Sequence, residues 1–113
     1  MNIIIVSHYT RGAWAAQIAR ALPGAVVLTD FMDCGALEAH RNALRIASRL
    51  GGRSIIMEDD AIPVEGFIER ATAWIDRMPD ELISFYLGTS RPKNWQPRIE
   101  HRLREPRGDA PFE

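Results

Sequence analysis

Glu58-Asp59-Asp60 closes an apolar run over residues 54–57, and Pro63 opens a helical pattern just beyond it. Three adjacent carboxylates repel one another and are costly to take out of water. A divalent cation, a basic partner or open solvent must offset that cost. Side chains alternate along a strand, so Glu58 and Asp60 would face one ligand while Asp59 points elsewhere. Two carboxylates are too few for an all-protein metal cage. They suit Mn²⁺ or Mg²⁺ that completes its shell with waters and substrate phosphates. An acidic turn at the start of the following helix would use the same residues without any ligand.

A second cluster, Ser7-His8-Tyr9-Thr10-Arg11-Gly12, joins an apolar run to a helix. Helix-terminal N–H groups, hydroxyls and an Arg can hold a phosphate there, and Tyr9 or His8 could stack on a base. The segment lacks the GK[ST] ending of a Walker loop and the repeated glycines of a dinucleotide fingerprint. Asp30 and Asp33 follow the next apolar run. His40 falls on the apolar stripe of a helix, which suits a hydrogen-bonded core residue or a support for the acidic loop. No His or Cys stands four residues from it to form a helical metal pair. Cys34 has no neighbouring basic group to activate it. Trp95, between Lys93 and Arg98, is either a latch onto the domain or a platform for a ligand.

These residues need strands and helices to position them. Residues 3–6 are a continuous β-branched run, which predicts a strand buried on both faces. Thr10 is placed to cap a helix over 12–22, with Trp14, Ile18, Ala21 and Leu22 near one face and Pro23-Gly24 as its stop. A strand over 25–28 follows, then a loop over 31–35. A helix is predicted over 36–50, with Leu37, His40, Leu44 and Ala47 as its apolar stripe and Gly51-Gly52 as its end. Residues 54–57 form a third strand. Phe67, Ile68, Ala71, Trp74, Ile75 and Met78 mark a third helix, with Pro63 in its lead-in and Pro79-Asp80 as its stop. Residues 82–87 read as a fourth strand, with Gly88-Thr89-Ser90 leading out of it. Strands alternating with helices over short connections imply a three-layer α/β/α domain around a mostly parallel sheet. Ligands bind such sheets outside the carboxyl ends of the strands, where all the polar clusters fall.

Composition sets the frame. The chain has 113 residues, 46% of them hydrophobic, enough for one folded domain. We assign residues 1–90 to an α/β domain and 91–113 to a Pro/Arg-rich tail. The tail holds six Lys/Arg and four Asp/Glu (+2), against eight and eleven (-3) in the rest. The overall charge of -1 gives no sign of nucleic-acid binding, although Arg91, Lys93, Arg98, Arg102, Arg104 and Arg107 could meet phosphates. A single cysteine rules out an intrachain disulfide and fits a reducing compartment. No apolar run is long enough to span a bilayer. A cytoplasmic protein is the expectation.

Three motifs, in order, resemble glycosyltransferase family 25, which includes the lipooligosaccharide galactosyltransferases. Residues 33–44, Asp-Cys-Gly-Ala-Leu-Glu-Ala-His-Arg-Asn-Ala-Leu, are similar to the family's "GAxGCxxSH" helix. Residues 54–62 resemble its "ILEDDV" strand, and residues 82–88 resemble its "WDILYLG" strand. The resemblance implies a Rossmann-like sheet of the GT-A type, here in a minimal version, and a UDP-sugar donor with a divalent metal, usually Mn²⁺. It implies Asp60 as the more direct metal ligand, with Glu58 on the ribose or the metal. Ser7 and the loop after it, His8, Tyr9 and Arg11, would meet the uridine and diphosphate together with Asp59, and Asp30 would lie near the nucleoside. His40 falls on the family's helix histidine and is the one candidate for a catalytic role.

Family members are about twice this length or more, so the chain corresponds to their donor-binding half. Glu100, Glu105 and Asp109 are present beyond it, and none is marked out as a general base. The expected function is transfer of a sugar from a UDP-sugar to an unidentified acceptor. In that case the tail, or another copy in a homo-oligomer, completes the acceptor site. The alternative is a non-catalytic nucleotide-sugar-binding or assembly module descended from such an enzyme.

Overall fold

The computed structural model describes residues 1–85. They fall into two compact units, Met1–Phe67 and a second beginning at Ile68. The order is β1 (Asn2–His8), a 3-10 turn (Tyr9–Arg11), α1 (Gly12–Ala21), β2 (Val26–Asp30), α2 (Ala36–Leu50), β3 (Ser54–Glu58) and α3 (Phe67–Arg77). The three strands form one parallel sheet in the order β2-β1-β3. No helix among the described residues is long and apolar enough to cross a membrane.

The central place of β1 follows from its sequence. Ile3, Ile4, Ile5 and Val6 are all buried, as a strand covered on both faces requires. The flanking strands are edges among the described residues, and Val26 and Val27 of β2 are exposed. Crossovers between parallel strands are right-handed. The β1-α1-β2 and β2-α2-β3 connections run in opposite directions across the sheet, so α1 and α2 cover opposite faces. Ile4 and Val6 pack against Ala43 of α2, with Leu28, Ile56, Ala39, Ile46 and Ala47 around them. Ala15, Ile18 and Leu22 are the buried residues in and just beyond α1.

Both helices turn differently from the sequence expectation. Leu37 and Leu44 were expected on the buried stripe of α2, yet both are exposed, and Ala39, Ala43, Ile46 and Ala47 face the sheet. In α1, Trp14 is exposed and Ala15 is buried in its stead. The reason is steric. A two-layer contact over a strand of Ile and Val is closest where the helix carries alanines, so small residues take the seam and larger ones move to its flanks. Thr10 does not cap α1. The residue preceding that helix is Arg11, which makes no side-chain cap bond.

Gly35 and Gly51 bracket α2 with φ of 95° and 72°, in the region that disfavours side chains. The Gly51 amide closes the helix on the Ala47 carbonyl at 3.2 Å. In the second unit, Ala71 and Ile75 are buried, and Ile68, Trp74 and Met78 are half-buried on the same stripe, as the sequence pattern predicts. The helix begins at Phe67, just after Gly66 (φ 73°), and not at Pro63.

Residues 82–85 form no strand, and Leu82 is fully exposed. The first four positions of the expected fourth strand are therefore irregular. An apolar run becomes a strand only where a neighbour pairs with it, and among the described residues the sheet ends at β3. The rest of that run, Gly88-Thr89-Ser90, Trp95 and the 91–113 tail lie outside the described residues.

The α2 seam gives a direct test. Ala43→Leu should overpack the core and cost about 1–3 kcal/mol, read as a lower urea midpoint. Leu44→Ala, one residue along on the exposed face, should stay within about 0.5 kcal/mol of the parent.

Candidate functional site

Parallel strands put all three carboxyl ends at one edge of the sheet. Register then decides which side chains meet. His8 pairs with Asp30 across β1 and β2, and Val6 pairs with Glu58 across β1 and β3. Side chains alternate with a period of two. His8 therefore follows Ile4 and Val6 onto the α2 face, Asp30 follows Leu28, and Glu58 follows Ile56. These three polar ends surround the first turn of α2, which brings His40. Together they line a cleft of about 230 Å³, to which Arg11, Asp33 and Asp59 also contribute.

Asp59 occupies the opposite parity and is almost completely buried, at 1% exposure. Its amide donates to the Val6 carbonyl at 3.0 Å, extending the β1-β3 pairing by one residue. One carboxylate oxygen accepts from the His8 amide at 2.9 Å, and the other accepts from Arg11 Nε at 2.8 Å. Burial pushes this carboxyl up. The hydrogen bond from Arg11, the bond from the His8 amide, the Arg11 charge and a hydrogen bond from Ser7 outweigh burial and hold it below its ordinary range. Ser7 is itself 2% exposed. Asp59 thus ties the end of β3 to the end of β1.

Asp30 plays a similar part on the other side. Its two oxygens accept from the amides of Cys34 at 3.0 Å and Gly35 at 3.2 Å. These bonds fix the loop that leads into α2. The Cys34 amide is the main cause that lowers the Asp30 carboxyl, burial opposes it, and Gly35 and His8 reinforce the lowering. Asp30 also borders a second depression of about 220 Å³, flanked by Phe31 and Met32, both strongly exposed. Cys34 is exposed and free.

The His8 ring is held on both nitrogens. Nδ1 lies 2.6 Å from Thr10 Oγ1, and Nε2 lies 2.8 Å from Asp33 Oδ1. The Thr10 amide also points at Nδ1, at 3.3 Å. Tyr9 tilts against the His8 ring, with centroids 4.4 Å apart. Asp33 reaches His8 because its backbone takes a positive φ of 54°, which Asp tolerates better than most residues. On the far side of the cleft, His40 Nε2 meets Glu58 Oε1 at 3.1 Å.

Of the residues singled out in the sequence, Ser7, His8, Arg11, Asp30, His40, Glu58 and Asp59 meet at one cleft. Tyr9 and Asp60 are exposed and do not line it. Asp33 appeared in the sequence only as a polar residue after the second strand. Its positive φ is what makes it a member of the site, and the Asp-Cys-Gly spelling before a helix is the one signal that could have shown it. Comparison with models of protein families, with curated proteins and with solved structures gave no match.

Asp59 yields a prediction with a defined sign. A carboxyl lowered on folding contributes stability above its unfolded value, near about 3.9, and that contribution is lost as pH falls through the folded value. Asp59→Asn should therefore flatten the loss of stability below about pH 4. Asp59→Ala leaves the His8 amide unpaired and should cost about 1–3 kcal/mol at neutral pH. The Arg11 part of that loss is small because the guanidinium is half exposed. Urea melts at several pH values check both.

Proposed function

We propose that the cleft binds the diphosphate of a nucleotide-sugar, a UDP-sugar in the first instance, with a divalent cation between protein acids and phosphates. The charge balance at the cleft carries this reading. Asp30, Asp33, Glu58 and Asp59 line it as four acids, and Arg11 is the one Lys or Arg among the lining residues. Arg11 is already held by Asp59. Four acids against one Arg leave three carboxylates with no Lys or Arg beside them among the lining residues. Such a cleft repels a bare diphosphate and attracts a divalent cation, whose open positions then take phosphate oxygens.

The donors present suit Mn²⁺ or Mg²⁺, since they are carboxylates with imidazoles beside them. By the resemblance to glycosyltransferase family 25, Glu58 and Asp60 are the first carboxylates to consider, and of the two only Glu58 lines the cleft. A bound cation would stabilise the negative charge that grows on the departing diphosphate as the anomeric C–O bond breaks. The acceptor hydroxyl forms the new bond and gives its proton to a base. His40, held by Glu58 at the cleft wall, is the candidate for that base. A donor-binding module without transfer activity would use the same cleft. Turnover of a UDP-sugar, by hydrolysis or transfer, separates the two.

Isothermal titration of the full chain with UDP tests the reading. Binding is expected with Mn²⁺ present and should be lost, or weakened at least about tenfold, when the metal is chelated. No binding at millimolar UDP in either condition overturns the proposal, and so does equal binding without metal.

A further inference from the structure

His8, Asp30 and Asp33 converge from three separate segments, the end of β1, the end of β2 and the loop before α2. One ligand atom of each lies within 4.8 Å of the others. We propose that these three side chains form a binding site for a divalent first-row transition ion, distinct from the Glu58-Asp60 pair. Three ligands about 2.0–2.2 Å from one ion stand roughly 3–3.8 Å apart. The three groups are therefore close enough to converge on one ion once their side chains adjust. One imidazole nitrogen with two carboxylate oxygens suits Mn²⁺, Co²⁺ or Zn²⁺ better than Ca²⁺, which takes six to eight oxygens.

The surroundings favour a cation at this point. Asp30 keeps one lone pair on each oxygen after accepting from the Cys34 and Gly35 amides. Those two bonds fix the carboxylate's place. Arg11, the cation that could neutralise the trio, is turned to Asp59. Thr10 Oγ1 stands 2.6 Å from His8 Nδ1. The Thr10 amide donates to Nδ1 at 3.3 Å, which leaves the ring proton on Nε2. For an ion to bind at Nε2 the proton must move to Nδ1, which then donates to Thr10 Oγ1 and gives up the amide bond. The bond to Thr10 Oγ1 is then the outer-shell bond that orients an imidazole ligand. Thr10 is thus a positioning residue. Asp33 is the most exposed of the ligands, with 70% of its side chain in solvent, so the ion has an open approach and room for water or phosphate oxygens. The site stands without the nucleotide reading and is tested without nucleotide.

The experiment titrates the full chain with Mn²⁺ alone, following free Mn²⁺ by electron paramagnetic resonance, with Zn²⁺ as competitor. One equivalent should bind and be displaced by Zn²⁺. Asp33→Asn and His8→Gln should each weaken binding at least about tenfold, and Thr10→Val by several-fold. Glu58→Gln with Asp60→Asn should change it by less than about threefold. Asp33 is exposed and among the described residues makes only the His8 contact, so its variant keeps the fold. No binding at millimolar Mn²⁺ overturns the proposal. Binding that survives Asp33→Asn and is lost in the Glu58/Asp60 variant overturns it as well, and would assign the ion to that pair.

Discussion

A buried carboxylate holds the functional edge of this domain together. Asp59 joins the last residue of β3 to the last residue of β1, through the His8 amide and Arg11 Nε. A charge in that place needs partners, because a carboxylate left unpaired in the interior is far costlier than one in water. Its partners have consequences for every neighbour. Holding His8 by its amide leaves the imidazole free to turn toward Asp30 and Asp33. Holding Arg11 removes that residue from the pool of cations that could balance the cleft. The same interaction that secures the strand ends thus leaves the cleft anionic.

The sheet supplies the rest by geometry. Parallel strands in the order β2-β1-β3 leave a crevice at the carboxyl edge, where the chain leaves β1 toward one side and later returns to the other. Alternation sends His8, Asp30 and Glu58 to the face covered by α2. It sends Ser7 and Asp59 to the opposite parity, where both are buried. Two roles therefore alternate along one edge, with outward groups available to a ligand and inward groups holding the strands. Asp30 combines both, since it fixes the entry to α2 while lining the cleft.

Much of this was legible in the sequence. The β-branched run at 3–6 announced a central strand, and all three helices and three of the strands lie within a few residues of where hydropathy and turn residues put them. The crowding of polar residues at strand ends pointed to the carboxyl edge. What could not be read was orientation. The α2 stripe was placed on Leu37, His40, Leu44 and Ala47, and of these Ala47 does pack on the core while the two leucines are exposed. Close packing over β1 selected Ala39 and Ala43. The acidic triplet showed that Asp59 would part from Glu58 and Asp60, but its burial depends on Arg11, which is 48 residues away. Asp33 was passed over because its role rests on a left-handed backbone and on a strand pairing, His8 with Asp30, that no local pattern encodes. The run at 82–85 looked like a strand on composition alone and has no strand partner among the described residues.

We propose that the carboxyl-edge cleft is a cation site. Paramagnetic line broadening by sub-stoichiometric Mn²⁺, read in amide proton-nitrogen spectra of the full chain, tests it most directly. The amides of His8, Asp30, Cys34 and Gly35 should broaden first, with Asn2, Val26 and Ser54 at the opposite edge broadening last. Broadening centred elsewhere on the domain, or none at any site, would contradict it.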